Sequence, residues 1–136
     1  MSELRVYRVF ISHAWIYNDD YYRVVKMLDD AKYFYWRNYS VPEHDPLIIK
    51  TTGQLEKGLY NQIQPTHVVI IISGMYVSYR QWIQKEIEIA QEMGKPIIGI
   101  RPWGSERTPL SVQLIANEIV GWNTSSIVDA IKTWAI

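Results

Sequence analysis

The chain of 136 residues contains no cysteine, and that absence excludes disulfide bonding, thiolate catalysis and cysteine-ligated metals together. It fits a reducing compartment. Neither sign of charge is in excess: fourteen Lys and Arg balance fourteen Asp and Glu without a basic run, so nothing favours electrostatic capture of nucleic acid or of an anionic membrane. The longest aliphatic run, Val68 to Ile72, is far too short to span a bilayer, and the opening MSELRVYRVF lacks the apolar stretch of a signal peptide. These absences predict a cytoplasmic location, with neither nucleic acid nor membrane as partner.

Several chemistries are missing as well. The seven glycines spell neither GxxxxGK[ST] nor GxGxxG, which removes the usual phosphate-cradling loops. GxSxG is absent, so no serine nucleophile elbow is expected. His13, His44 and His67 share no close ligand spacing, and "EHD" at Glu43 to Asp45 reads as a solvated loop, so neither a metal nor a cofactor is expected.

What is present is ordinary globular usage, 48% apolar and 21% charged, in a length that suits one domain over residues 1–136. Strand-like and helix-like stretches alternate. VYRVFIS (Val6 to Ser12), FYWRNYS (Phe34 to Ser40), VVIIIS (Val68 to Ser73), PIIGI (Pro96 to Ile100) and EIVGW (Glu118 to Trp122) read as strands. NDDYYRVVKMLDDA (Asn18 to Ala31), Thr52 to Ile63, a stretch beginning after Ser78 and SSIVDAIKTW (Ser125 to Trp134) read as helices, with a loop and short helix between Arg101 and Asn117. Ser78 and Gln81 form a candidate capping box. The third strand is apolar at consecutive positions, as a strand covered on both faces of a parallel sheet must be. The alternation therefore predicts an α/β domain with a flavodoxin-like, doubly wound, five-stranded parallel sheet of order 2-1-3-4-5.

One helix carries an anomaly. With Trp82 at zero and about 100° per residue, Trp82, Ile83, Ile87, Ile89, Ala90, Met93 and Gly94 share an arc roughly 160° wide. Gln84, Lys85, Glu88, Gln91 and Glu92 fill the opposite side. Glu86 falls near the middle of the apolar arc, at about 40°. A carboxylate facing a core loses several kcal/mol of hydration unless a partner or a wet pocket compensates, so Glu86 is either paired, turned to solvent or part of a site.

Ligands of open parallel sheets bind outside the carboxyl ends of the strands. Here those ends carry Ser12, His13, Ala14 and Trp15, then Asn38, Tyr39 and Ser40, then Ser73, Gly74 and Met75, with Trp82 on the next helix, and finally Trp103, Trp122 and Asn123. Six Trp and ten Tyr gather partly at this edge, where flat rings either sandwich a base or pack loops onto the sheet. A phosphoacceptor receiver shares the fold but needs acidic groups where this chain has Ser12, His13 and Ser73. Ser12 and His13 are candidates for phosphate or ribose contacts or for turn capping, and Asn38 for a base contact or for satisfying its own loop. Arg37 and Arg101 could reach a pyrophosphate, although a surface role fits each. A half-buried carboxylate beside aromatics and hydroxyls suits N-glycosidic cleavage, in which it steadies an oxocarbenium-like sugar.

"VFISHAW", "NYSVPEHDPL", "ISGMYVSYRQWIQKEIEIA", "GKPIIGIRPWG" and "IVGWN" occur in an order that resembles the bacterial TIR-like proteins of Thoeris anti-phage defence, over nearly the whole chain. Ser78, Trp82 and Glu86 resemble the SxxxWxxxE catalytic element. The resemblance implies that Glu86 is the catalytic glutamate and that NAD is a substrate, not a cofactor, cleaved between nicotinamide and ribose. It further implies a cyclic ADP-ribose-type signal that activates a separate effector protein, and a loop at Tyr39 to Pro46 that mediates self-assembly and shapes the pocket. Phe10, Ser12, His13, Trp15, Asn38, Tyr39, Ser73, Met75 and Trp82 are the candidate substrate-binding residues beside Glu86. A non-catalytic TIR-like adaptor and a nucleoside deoxyribosyltransferase-like enzyme are the alternatives.

Overall fold

Val68–Ile72 is buried at every position and lies at the centre of the protein. A strand without a polar face must be covered on both sides, which a parallel sheet with crossover helices provides. The computed structural model describes residues 5–12, 19–40, 52–74, 80–102 and 107–136, and only the backbone of residues 52–55. Its elements run β1 (Val6–Ile11), α1 (Asp19–Asp30), β2 (Tyr35–Asn38), α2 (Thr52–Ile63), β3 (Val68–Ile72), α3 (Arg80–Glu92), β4 (Ile97–Ile100), α4 (Leu110–Ile115), β5 (Glu118–Val120) and α5 (Thr124–Trp134). The five strands form one parallel sheet of order β2-β1-β3-β4-β5, the doubly wound arrangement expected from the alternation of elements.

The strand order decides where the helices go. Crossovers between parallel strands are right-handed, so connections leading toward β2 and toward β5 place their helices on opposite faces. Accordingly α1 meets α5 on one face, while α2 meets α3, with α3 on β3 and α4 on β4, on the other. Register then assigns each strand residue to a face. Gly99 of β4 looks toward Val112 of α4, so its register partner Ile71, together with Val69 and Phe10, faces the α3 side. Val9, Ile11, Ile70 and Ile72 face α1.

Among the described residues twenty-seven apolar side chains are buried, with Phe10, Ile70, Ile71, Ile83 and Ile87 among the largest fully enclosed. Cutting one such aliphatic chain back to alanine costs about 2–5 kcal/mol, which makes this layer the main source of stability. Packing is tight where α4 crosses β4: a Cβ added at Gly99 would sit 3.0 Å from Val112 Cγ1.

The elements stop a little earlier than the hydrophobic pattern suggests, for local reasons. β2 ends at Asn38 rather than Ser40 because the Asn38 side chain accepts the Ser40 backbone N–H at 2.9 Å, an Asx turn that diverts the chain. β5 ends at Val120 because Trp122 turns aside to donate its indole N–H to the Arg101 carbonyl at 2.8 Å. α3 closes at Gly94, whose φ of +67° is the left-handed conformation that glycine adopts without a Cβ penalty. The short helix expected between Arg101 and Asn117 is α4.

Candidate functional site

α3 is amphipathic as the helix arithmetic requires. Ile83, Glu86, Ile87, Ile89 and Ala90 are buried, Trp82 and Met93 pack half-buried against the core, and Glu88, Gln91 and Glu92 are exposed. Glu86 has no exposed surface, whereas Glu88, two residues on, stands in solvent. Two polar ties on its outer flank hold this rotation: Lys85 pairs with Glu56 of α2, and the Tyr60 hydroxyl of α2 donates to Glu92. The carboxylate of Glu56 raises the Lys85 pKa, and the bond to Glu92 raises that of Tyr60. A surface cleft of about 230 Å³ lies between these side chains, and another of about 550 Å³ lies beside Tyr22, Met27 and Thr124; Glu86 lines neither.

The described candidate residues lie at the carboxyl edge of the sheet, on its two faces. Phe10 of β1 lies on the α3 face, and Ser12 follows directly on β1; both are fully buried. Ser73 follows directly on β3 and is fully buried. Its hydroxyl is buried and has no hydrogen-bond partner among the described residues, which is costly for a polar group unless something else satisfies it. Ser12 is already committed: its hydroxyl accepts the Ile72 backbone N–H at 2.9 Å, and its own N–H donates to Ile70 O at 2.8 Å, clamping β1 to β3.

On the opposite face Asn38 shares the register of Val9 and donates to the Tyr21 hydroxyl of α1 at 2.8 Å. Tyr21 and Ser40 lie within 3.1 Å of each other, so Asn38, Tyr21 and Ser40 form one network that fastens the end of β2 to α1. Satisfying its own loop, one of the two roles open to Asn38, is the role seen. Tyr39 is half-buried and bonds Val9 O through its backbone N–H at 2.9 Å. Trp36, Trp122 and Trp134 each donate an indole N–H within the chain, to Asp29, the Arg101 carbonyl and Glu118, and so serve packing. Arg37 and Arg101 are exposed. His13, Trp15, Met75, Ser78, Trp103 and the loop from Val41 onward lie outside the described residues.

Sequence reasoning passed over Asp20. It reads there as an ordinary acidic residue in the first turn of a helix, yet its Oδ2 lies 3.8 Å from where a Cβ on Gly74 would stand, over the end of β3. The signal that could have found it is its place shortly after β1, at the switch point between β1 and β3.

His67, the histidine among the described residues, belongs to the other edge. Its Nδ1 accepts the Arg8 backbone N–H at 3.0 Å, which serves strand register and not metal binding. Among the described residues no cluster of three or more His, Asp or Glu could hold a metal ion, and no helix is long and apolar enough to cross a membrane.

Residues 10–107, more than half of the chain, match the family model described as Thoeris protein ThsB, TIR-like domain. The chain belongs to that family. No curated protein matches it. Membership places this TIR-like domain in Thoeris defence, and the matched span runs from the end of β1 through β4 and includes all of α3, hence Glu86.

Proposed function

We propose that this TIR-like domain cleaves the bond between nicotinamide and ribose in NAD and passes the ADP-ribosyl group into a cyclic signalling nucleotide that activates a separate Thoeris effector. The observation that carries the reading is Glu86, a carboxylate with no exposed surface on the core-facing stripe of α3. A chain gains nothing in stability from burying a carboxylate where an aliphatic side chain would pack, so the position is better explained by chemistry than by folding.

Nicotinamide is a cationic pyridinium while attached and departs neutral, taking the electron pair of the C–N bond with it. No general acid is needed. What remains is an oxocarbenium-like ribose, and a negative charge fixed beside it in an apolar, water-poor setting stabilises that state far more than the same charge in water. Water attacking the sugar carbon gives linear ADP-ribose; a nucleophile from the adenosine half of the same molecule closes a ring. The apolar lining of Phe10, Ile83 and Ile87 around this face favours ring closure by excluding the competing water.

The test is mass spectrometry of the nucleotides formed from NAD by concentrated protein, and in phage-infected cells, with Glu86→Gln in parallel. The variant preserves shape and removes charge, so nicotinamide release should fall about 100- to 1,000-fold. Release undiminished in Glu86→Gln would remove Glu86 from the chemistry, and the absence of any product from the parent protein in both settings would reject NAD cleavage.

A further inference from the structure

β3 and β4 are buried at every position, but the start of β1 and β2 is not. On the face where α3 lies on β3 and α4 on β4, Val6 and Tyr35 are register partners and stay 45% and 46% exposed. Two residues further on, the register partners are Arg8 and Arg37, whose side chains leave the same face on adjacent strands. Arg8 stands four positions back from Ser12, about 13 Å along the strand, so this patch is set apart from the carboxyl edge.

Like charges opposite each other on neighbouring strands are destabilising, so folding alone gives no reason for this pair. A carboxylate beside them would relieve the repulsion. Among the described residues the ion pairs are Lys26 with Asp30 and Lys85 with Glu56, and neither arginine takes part in one. Arg37 is exposed to water, but the Arg8 Nε is buried and has no hydrogen-bond partner among the described residues. A guanidinium N–H withdrawn from water without an acceptor is costly, and an incoming acceptor removes that cost. The surroundings add to the positive field: burial, and then the charges of Arg8, Arg5 and Lys95, lower the pKa of His67, whose Nδ1 accepts the Arg8 backbone N–H.

We propose that this face of β1 and β2 binds a nucleoside diphosphate or triphosphate, its phosphates on Arg8 and Arg37 and its base on the Tyr35 ring. The planar guanidinium presents a fork of N–H donors that matches phosphate oxygens two at a time. Two such forks in register suit a ligand with several negative charges close together, which a phosphate chain has and a single carboxylate lacks. Tyr35 precedes Arg37 by two residues on the same face, about 7 Å along the strand, so a base lying on the ring leaves its phosphates near the arginines. Every base has a flat face to offer an exposed aromatic ring, so the patch selects the class of ligand and not the base. The site does not depend on NAD being the substrate of Glu86.

The experiment titrates ADP and pyrophosphate calorimetrically against the parent chain, Arg37→Gln and Tyr35→Ala, and records the melting temperature of each protein alone. The parent should bind both, ADP more tightly by about tenfold, the effect of one stacked base. Arg37→Gln should weaken both by about tenfold or more, the range of a hydrogen bond to a charged group. Without ligand it should melt no lower than the parent, because it removes a like-charge opposition. Tyr35→Ala should bring ADP down to the affinity of pyrophosphate. Nicotinamide release from NAD by Arg37→Gln should match that of the parent.

If the parent releases no nicotinamide, the cleavage reading fails while the titrations still decide this site. Binding of neither ligand, equal affinity of the parent for ADP and pyrophosphate, or binding undiminished in Arg37→Gln overturns it. A lower melting temperature in Arg37→Gln would give the arginine to folding and overturn it too. Nicotinamide release lost in step with ADP binding would assign Arg37 to the substrate of Glu86, and a separate nucleotide site would fall.

Discussion

The two edges of the sheet use the same kinds of polar residue for different ends. At the amino edge several groups are spent on the backbone. Asn117 accepts the Ile97 N–H through its side chain at 2.9 Å and donates its own N–H to Ile97 O at 2.7 Å, tying the segment before β5 to β4. His67 joins β1 to the start of β3 by accepting from Arg8 and donating its backbone N–H back to Arg8 O at 2.8 Å, and Lys95 donates to Gln64 O. At the carboxyl edge Ser12 and Asn38 do similar work, but the buried Ser73 hydroxyl has no hydrogen-bond partner among the described residues. Polar side chains alone do not mark a site; the unmatched hydroxyl at the carboxyl edge stands where doubly wound sheets take ligands.

The largest effect that tests this contrast belongs to the amino edge. Asn117→Ala deprives the Ile97 N–H of its acceptor, and an unsatisfied buried donor costs about 1–3 kcal/mol. Denaturant melts should show that loss while nicotinamide release per folded molecule stays the same. A loss of turnover with no loss of stability would put function at the wrong edge.

A pH-dependent effect comes next. Burial lowers the His67 pKa below 6.5, and the nearby charges of Arg8, Arg5 and Lys95 lower it further. The unfolded chain therefore binds this proton more readily than the folded one. The stability that neutral His67 contributes is complete above about pH 6.5 and declines as pH falls toward the folded value. His67→Gln should flatten that part of the stability profile measured between pH 7 and pH 5, and a profile of equal slope in both proteins would assign the dependence elsewhere.

The smallest expected effect is at Ser73. Replacing a hydroxyl that has no partner with a hydrogen removes nothing the fold uses, so Ser73→Ala should shift stability by less than about 0.5 kcal/mol. A loss above 1 kcal/mol would show that the hydroxyl is structural and weaken the contrast between the edges.

The fold was legible because its signals are periodic. An all-apolar β3 implies two covered faces, and alternating strands and helices imply a parallel order, with the turns fixing only where each strand stops. Glu86 was legible for the same reason, since a helix period locates a misplaced carboxylate without knowledge of its neighbours. Asn38, Tyr21 and Ser40 were harder, because a side chain that could hold a ligand and one that satisfies its own turn are the same residue in sequence. Asp20 was not found at all: its significance comes from Gly74, 54 positions away along the chain and 3.8 Å from it as a Cβ would stand. Contacts between distant positions arise from strand order, and no local pattern announces them.

The ties between α2 and α3 have a mechanical consequence. Glu56 and Tyr60 sit one turn apart on α2, and their partners Lys85 and Glu92 are about 10 Å apart along α3, so the two helices are pinned at two points and resist both sliding and rolling. α2 begins at Thr52, directly after the stretch that contains the loop resembling an assembly element. Force applied there by a neighbouring molecule would travel down one pinned pair of rods to the helix bearing Glu86, which makes α2 a lever arm and its two ties the bearings.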